Sequence, residues 1–457
     1  MHLPSVSTDP KHTDFWFLPL GGTGEIGMNL NLYGHAGSWL MVDCGATFNV
    51  PLRPEFDKRF DIHREAFVIP DPAFIVDKVD QLAGIVITHA HEDHIGALLH
   101  VWSKLQCPIY TTAFTAEVIR RKFYSAEIFV ELPIVEVNSG DDLDIGPFNV
   151  RWLSITHSIP EPQALLISTP LGDVFHTADW KIDKAPVVGN KFKPSRFKAL
   201  AHKNIIAMVC DSTNALRKGY SISEKECEKG LGALISKATG RVVVSCFASN
   251  LARVITLARI AQQTGRYVAL AGRSLENMVS IARLTGHWPD ELSFTPLRHI
   301  GYLPPHEVMI VATGSQGEPN AALSKMATGV FRACLLEKGD SVIFSSIVIP
   351  GNEAFIEKVL QQLRDIGVNV TQSENSTHII HASGHPNELD LQDMYSWVKP
   401  NCAVPTHGES AHMLANANIA REAGVLKQVV GTNGDVFDLV NAALFPSFTD
   451  VARLAIK

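Results

Sequence analysis

Three histidines and one aspartate fall within positions 89–94 of this 457-residue chain, in the run Thr88-His89-Ala90-His91-Glu92-Asp93-His94. The run follows Leu82 to Ile87, an apolar stretch that reads as a buried strand. It precedes Ile95 to Leu105, where apolar residues recur with helical spacing. On a helix, His89 and His91 would face different ways; on a tight loop at a strand end, all four side chains can converge. Imidazole and carboxylate together suit Zn²⁺ or Mn²⁺. A polar loop with incidental histidines is the bland alternative, and the ligand density disfavours it.

Further donors stand at other strand ends. His157 closes Arg151 to Thr156, Asp179 follows Val174 to Ala178, and His407 follows Ala403 and Val404. Each alone reads as an ordinary core or loop residue. Together with the 89–94 run they make seven ligands, enough for two cations. Two cations roughly 3.5–4 Å apart can clamp an in-line displacement at phosphorus. Such a pair needs a bridging carboxylate, and Asp179 is the expected one. The glycine run Gly22-Thr23-Gly24-Glu25-Ile26-Gly27 matches a dinucleotide-binding pattern, but Asn29 to Gly34 alternates like a strand where that pattern needs a helix. Asp43 is better read as a residue supporting the metal loop from behind.

The elements that must position these groups change character along the chain. Phe15 to Leu20, Met28 to Val42 with a hairpin turn at residues 34–37, Val150 to Ile155, Ala164 to Thr169 and Val174 to His176 read as strands. From about residue 205, strands alternate with helices: Ile205 to Cys210, Val242 to Phe247, Tyr267 to Leu270, Val308 to Ala312 and Val342 to Ser346. Phe355, Ile356, Val359, Leu360 and Leu363 form a helical stripe, so this part reads as a doubly wound parallel sheet. After residue 377 a strand-like segment and a closing αβ unit return. Net charge is −7, which announces no global attraction to polyanions, although a local basic groove would suffice. The seven scattered cysteines fit free thiols in a reducing compartment. No apolar signal or membrane-length run is visible, so a cytoplasmic protein with no membrane partner is expected.

Taken in order, the Thr88–His94 run, Thr156-His157-Ser158-Ile159-Pro160 and Thr177-Ala178-Asp179-Trp180 resemble the metallo-β-lactamase motifs. The later segments are Cys210-Asp211-Ser212-Thr213-Asn214, Phe247-Ala248-Ser249-Asn250, Gly272 to Asn277, Thr313 to Pro319, Ile349 to Asn352, His381-Ala382-Ser383-Gly384-His385 and Pro405 to Glu409. They resemble the β-CASP branch, and within it ribonuclease J. The likeness spans about Leu20 to Gly434. It implies an α/β fold: a metallo-β-lactamase αββα sandwich with an inserted β-CASP domain on a parallel, doubly wound sheet. The expected division is 1–209 and 378–457 for the sandwich and 210–377 for the insertion.

The same resemblance implies a metal-dependent RNA phosphodiesterase acting on single-stranded RNA as a 5′→3′ exonuclease, an endonuclease or both. It assigns one metal to His89, His91 and His157 and the other to Asp93, His94 and His407, with Asp179 shared. A hydroxide held by both metals would attack. His385 would be the general acid for the leaving 3′-oxygen, steadied by Asp211, with Asp93 counted among the catalytic residues. Two divalent ions are expected, Zn²⁺ first, with Mn²⁺ or Mg²⁺ as alternatives. Phe247 to Asn250 ends a strand and opens a helix, whose free N–H groups suit an anion. By the resemblance, Ser249, His381 and Ser383, with Asn250 and His385 beside them, would hold the terminal 5′-phosphate of RNA or the phosphate of the nucleotide being removed; plain helix capping by Ser249 and Asn250 is a compatible reading.

Four departures from the family pattern stand out. The chain ends at Lys457, so the usual further C-terminal domain is expected to be lacking, and a homodimer is an expectation without it. Ala178 and Trp180 replace Gly and Phe, Glu161 replaces Asp, and Ala252 replaces a polar residue. The segment Lys191 to Lys198 interleaves basic and aromatic residues; a solvated loop is favoured over a base-stacking strip. Rival functions are a metallo-β-lactamase-fold hydrolase of another phosphodiester or small ester, and a non-catalytic RNA-binding module. The full ligand set disfavours the second, and an inserted domain suits a threaded strand better than a small ester.

Overall fold

The computed structural model describes residues 8–48, 67–349 and 351–456. The first seven residues and Pro350 of the Ile349 to Asn352 motif lie outside them. Along Trp16–Gly21, successive side chains enter two different cores, as the period of two in a strand requires. Phe15 and Phe17 join Tyr33, Leu40, Val42 and Val86, whereas Trp16, Leu18 and Leu20 join Trp39, Met41 and Ile85. Strands buried on both faces read as unbroken apolar runs. Leu82–Val86 and Ile205–Asp211 are such strands.

Among the described residues, an eight-stranded sheet places Val436–Asp438 beside Trp16–Gly21, followed by Leu30–His35, Ser38–Val42 and Leu82–Val86. A seven-stranded sheet runs from Lys427–Gln428 through Cys402–Thr406, Ile205–Asp211, Gly172–His176, Gln163–Thr169 and Phe148–Ser154 to Asp142–Ile145. Phe148, Val150, Trp152, Leu165 and Val174 of the second sheet meet the inner face of the first. Helices Leu98–Leu105 and Ala113–Ser125 cover the outside of the first sheet, through Leu98, Val101, Phe114 and Val118. Pro194–Lys198, Glu388–Val398 and Ser410–Glu422 cover the second, through Phe197, Leu391, Met394 and Ile419. The result is an αββα sandwich.

A third sheet is parallel throughout, in the order Tyr267–Ala271, Val308–Ala312, Val242–Ser245, Ser341–Phe344, Asn369–Thr371. Val243, Ile310 and Val342 pack with Leu323, Ile356 and Leu360 on one face. Val242, Val244 and Met309 pack with Leu231 and Leu257 on the other. This doubly wound unit is inserted between Ile205–Asp211 and Cys402–Thr406, two strands that pair with each other in parallel.

Several expectations are revised. Ile205 to Cys210 was expected to begin the alternating unit, yet its strand lies between Gly172–His176 and Cys402–Thr406 in the sandwich. A boundary at 210 therefore cuts a strand; a buried parallel strand has the same apolar signature in either sheet. The helix expected over 95–105 is two, Glu92–Ile95 and Leu98–Leu105, so helical structure begins inside the histidine run. The strand-like segment after 377 joins no sheet: 379–383 hold no regular structure and the chain bends at Gly384 and His385. In Lys191 to Lys198 the lysines are exposed, but Phe192 and Phe197 are buried with ring centroids 5.0 Å apart, so those aromatics are unavailable to bases.

Phe17 pairs across the ladder with Phe437, ring centroids 5.5 Å apart, and packs on Tyr33 at 5.3 Å. It thus ties the first strand to the closing strand. Phe17→Ala is expected to cost about 3–5 kcal/mol. Urea unfolding checks this, with a lower midpoint expected at an unchanged slope.

Candidate metal centre

The sheets explain why distant residues meet. Asp179, Asp211 and His407 stand at or just past the C-terminal ends of three neighbouring parallel strands, where open α/β sheets place their ligands. His157 follows Phe148–Ser154 of the same sheet, and a bridge between Thr156 and Lys181 holds it beside the Asp179 segment. The 89–94 loop comes from the other sheet. There Leu82–Val86 runs parallel to Ser38–Val42 and brings Asp43 beside Thr88.

Asp43 is buried and accepts from the Thr88 N–H at 2.8 Å, from the Thr88 hydroxyl at 2.9 Å and from His94 Nδ1 at 2.8 Å. Gly45 lies so close that a Cβ there would sit 1.6 Å from the Asp93 carbonyl oxygen. The glycine run does related work. The Gly22 carbonyl accepts from the His407 N–H at 2.6 Å, and Thr23 Oγ1 lies 2.8 Å from Thr406 Oγ1. It supports the His407 loop and leads into strand Leu30–His35, with no helix at the glycines.

The donors form two groups that share Asp179: His89, His91, His157 and Asp179, and Asp93, His94, Asp179 and His407. Within each group the ligand atoms lie within 4.8 Å of one another. The first group has too few protons for its own contacts. The Thr88 hydroxyl donates to Asp43 and so accepts from His89 Nδ1 at 3.0 Å; the Gly384 carbonyl accepts from His157 Nδ1 at 2.7 Å. Both rings then offer an unprotonated Nε2, and both meet His91 Nδ1, at 3.1 and 3.0 Å. One N–H cannot satisfy two lone pairs at once, whereas a cation serves all three nitrogens. In the second group, His407 Nε2 is buried without a hydrogen-bond partner and lies 3.4 Å from Asp93 Oδ2. The donor sets therefore fit divalent cations.

Proton affinities agree with that reading. Burial pulls His89 and His157 well below the usual imidazole range, and takes His91 down to about 4 against the pull of Asp93 and Asp179. These rings are neutral near pH 7, the form that ligates metal. Burial opposes charge on His94 and His407 too, but Asp179 and its neighbouring carboxylates outweigh it and raise both. Asp93 and Asp179 stay well below the usual carboxylate range despite burial, because His94 and His407 compensate them. A bound cation would take the place of the protons on those imidazoles.

Beside this centre, His385 Nδ1 donates to Asp211 Oδ2 at 2.8 Å and lies 3.8 Å from Asp179. Burial works against charge on His385, yet Asp211 and Asp179 raise its pKa. Burial likewise works against Asp211, which His385 brings down to about 2. Thr213 fixes Asp211 through its N–H at 2.9 Å and its hydroxyl at 2.7 Å. At the expected phosphate site, Asn250 is occupied within the fold: its Oδ1 accepts from the Arg253 N–H at 3.0 Å, and its Nδ2 donates to Glu224 at 3.3 Å. It caps Leu251–Gln263 and is not free for a ligand. Ser249 is partly exposed, Ser383 accepts from Asn214 at 2.8 Å, and the two ring nitrogens of half-buried His381 are shielded from solvent without a hydrogen-bond partner.

Three family models match in chain order: the β-lactamase superfamily domain over residues 38–200, the ribonuclease J β-CASP domain over 239–363, and the Zn-dependent metallo-hydrolase RNA specificity domain over 376–430. Ribonuclease J of Sinorhizobium meliloti is 42% identical over 427 residues, 93% of this chain and 74% of that protein. Ribonuclease J of Mycolicibacterium smegmatis is 36% identical, over 92% of this chain and 74% of its own length. Ribonuclease J 1 of Streptococcus pyogenes is 34% identical, over 99% and 78%. The chain belongs to the ribonuclease J family. A protein of unknown function from Enterococcus faecalis V583 shares the fold, with a TM-score of 0.64 at 16% identity, covering 93% of this chain and 99% of that one.

Against the ribonuclease J pattern, Glu161 gains a reason for its length. Its Oε1 meets His287 Nε2 at 2.9 Å and its Oε2 accepts from the Phe114 N–H at 2.9 Å, so the His157 loop is tied to the inserted domain. Asp43, Ala178 and His407 all hold left-handed backbone, with φ of 64°, 51° and 50°. Such strain costs about 1–3 kcal/mol per residue and clusters at working sites. Sequence reasoning missed Asn29, whose Nδ2 lies 3.1 Å from His94 Nε2, and Thr213. Their only signal was position, just after the glycine run and just after Asp211. Removing metal with a chelator is expected to lower the Tm, since binding at a hundredfold excess over Kd contributes about 2.7 kcal/mol. Asp43→Ala should weaken metal affinity about 10–100-fold by freeing the His94 ring. Calorimetry and competition with a metal indicator measure the two effects, and an unchanged affinity would count against the support assigned to Asp43.

Proposed function

We propose that this chain hydrolyses phosphodiester bonds of single-stranded RNA at the Asp179 centre, as a 5′→3′ exonuclease, an endonuclease or both. One observation carries the reading: two donor groups share one carboxylate, with the His385–Asp211 pair alongside. His89, His91 and His157 would hold one divalent ion and Asp93, His94 and His407 the other, with Zn²⁺ preferred for the imidazole-rich set and Mn²⁺ or Mg²⁺ as alternatives. When bound, such a pair supplies Lewis acidity toward phosphoryl oxygens and eases deprotonation of water near neutral pH.

The side chains handle position and the leaving group. Water gives up a proton to solvent as it adds at phosphorus, the P–O3′ bond breaks, and the departing oxygen takes a proton from His385, which solvent then restores. Asp211 orients that ring through Nδ1, which leaves Nε2 toward the substrate, and the raised pKa of His385 keeps the proton available. Ser249, His381 and Ser383 would receive an RNA phosphate near the start of Leu251–Gln263, with Asn250 shaping the loop. A 5′-monophosphate should therefore be preferred to a 5′-hydroxyl or a bulkier triphosphate.

The sandwich is proposed to extend to about residue 211 and resume near residue 386, with the inserted domain between. A cytoplasmic homodimer completes the proposal. His385→Ala is expected to lower kcat about 10²–10⁴-fold while metal content stays at the wild-type level. Asp93→Ala or His407→Ala should abolish cleavage and cost metal as well. A time course on 5′-labelled RNA with quantified metal reads both. Full activity in any of the three variants would reject its assigned role, and early mononucleotide release against internal fragments would separate the two modes of cleavage.

A further inference from the structure

Behind the phosphate site, four charged side chains lie buried together: Lys181 at 0% exposure, Asp183 at 2%, Glu224 at 2% and Arg253 at 0%. Arg253 Nε and Nη2 donate to the two oxygens of Glu224, each at 3.1 Å. Its Nη1 donates to the Ser345 carbonyl at 2.9 Å, to the Ser345 hydroxyl and to the Ile380 carbonyl at 3.0 Å. The Ser345 hydroxyl donates in turn to Ile380 O at 2.7 Å. One guanidinium thus joins helix Glu224–Lys237, helix Leu251–Gln263, the end of strand Ser341–Phe344 and the segment returning to the sandwich.

The segments it joins carry both walls of the phosphate site. Ser249 lies on the loop that opens the helix of Arg253, and Asn250 of that loop is bonded to both Arg253 and Glu224. His381 directly follows Ile380. The network also reaches the metal centre: Asp183 Oδ1 accepts from the Ser223 hydroxyl at 2.7 Å and Asp183 Oδ2 from the Glu224 N–H at 3.3 Å. Lys181 Nζ donates to the Ile222 carbonyl at 3.0 Å, and the Thr156 hydroxyl accepts from the Asp183 N–H at 3.1 Å. Thr156 precedes His157, and Gly384, three residues past His381, accepts from His157. An apolar cluster of similar volume can match a buried ion pair in stability. What the charges add is direction, since a planar five-donor fork fixes several acceptors at once in a way lysine cannot.

We infer that Arg253, with Glu224 and Ser345, is the positioning element that holds Ser249 and His381 in register to grip an RNA 5′-phosphate. The inference rests on the phosphate-site reading given above. Arg253 itself touches no substrate; it acts through the two walls it joins. Burial, with the charge of Arg253, takes His381 down to about 3 against the pull of the Ser345 backbone, so the ring is neutral near pH 7.

The test compares the metal-loaded full chain with Arg253→Lys, Ser345→Ala and His381→Ala on one single-stranded RNA bearing a 5′-monophosphate or a 5′-hydroxyl. Measured for each are kcat, KM, Tm and metal content. Arg253→Lys and Ser345→Ala are expected to cut the monophosphate preference in kcat/KM about tenfold or more, since small misplacements of binding groups carry costs of this order. Metal content and cleavage of the hydroxyl RNA should hold. Ser345→Ala deletes one hydroxyl and decides the matter if Arg253→Lys fails to fold. If His381→Ala loses the preference while both other variants keep it, the positioning role is overturned and the phosphate site stands. If both RNAs are lost in equal measure, Arg253 is merely structural and the inference falls. If the wild type shows no monophosphate preference, the phosphate-site reading fails first and takes the inference with it.

Discussion

A carboxylate buried among imidazoles must be compensated, and at Asp179 that demand comes from every side. Its oxygens lie 2.9 Å from His407 Nδ1, 3.2 Å from His94 Nε2, and 3.8 to 3.9 Å from His157, His385 and His89. Without it, the neutral imidazoles at 89, 91 and 157 and the charge-paired set at 93, 94 and 407 would be separate clusters. With it, one buried anion fixes the spacing of both. The left-handed backbone of Ala178 is part of the cost of aiming Asp179 inward.

The fold answers that constraint by topology. Strands from sequence regions nearly two hundred residues apart lie side by side, so Asp179, Asp211 and His407 emerge together although the inserted domain separates the last two. The opposite sheet delivers the 89–94 loop, and Asp43 locks it by accepting three hydrogen bonds from Thr88 and His94. The return segment 380–385 then serves both domains. Ile380 is gripped from the inserted sheet, Gly384 orients His157, and His385 is held by Asp211. The packing, the two donor groups and the His385–Asp211 pair are consequences of one arrangement of strand ends.

Much of this was legible in the chain. The density of ligands in 89–94, the strand-end positions of His157, Asp179 and His407, and the alternation that refuted a nucleotide-binding reading of the glycine run all carry physical meaning. Elsewhere the pattern was silent or ambiguous. Ile205–Asp211 has the apolar signature of a parallel strand, which is identical in either sheet, so its partner had to be seen. Phe192 and Phe197 alternate with lysines like a nucleic-acid strip, but their rings stack into the core under Trp180 and Trp397. Arg253 is an arginine in the first turn of a helix, a place where exposure is the usual outcome; its burial depends on Glu224 and Ser345, far away in sequence.

The most direct test of the account is anomalous diffraction from crystals of the metal-loaded protein, recorded at the absorption edge of the bound element. Two peaks are predicted, roughly 3.5–4 Å apart, with Asp179 between them. One should be ringed by His89, His91 and His157, the other by Asp93, His94 and His407. A single peak, or a second one out of reach of the Asp179 carboxylate, would contradict it.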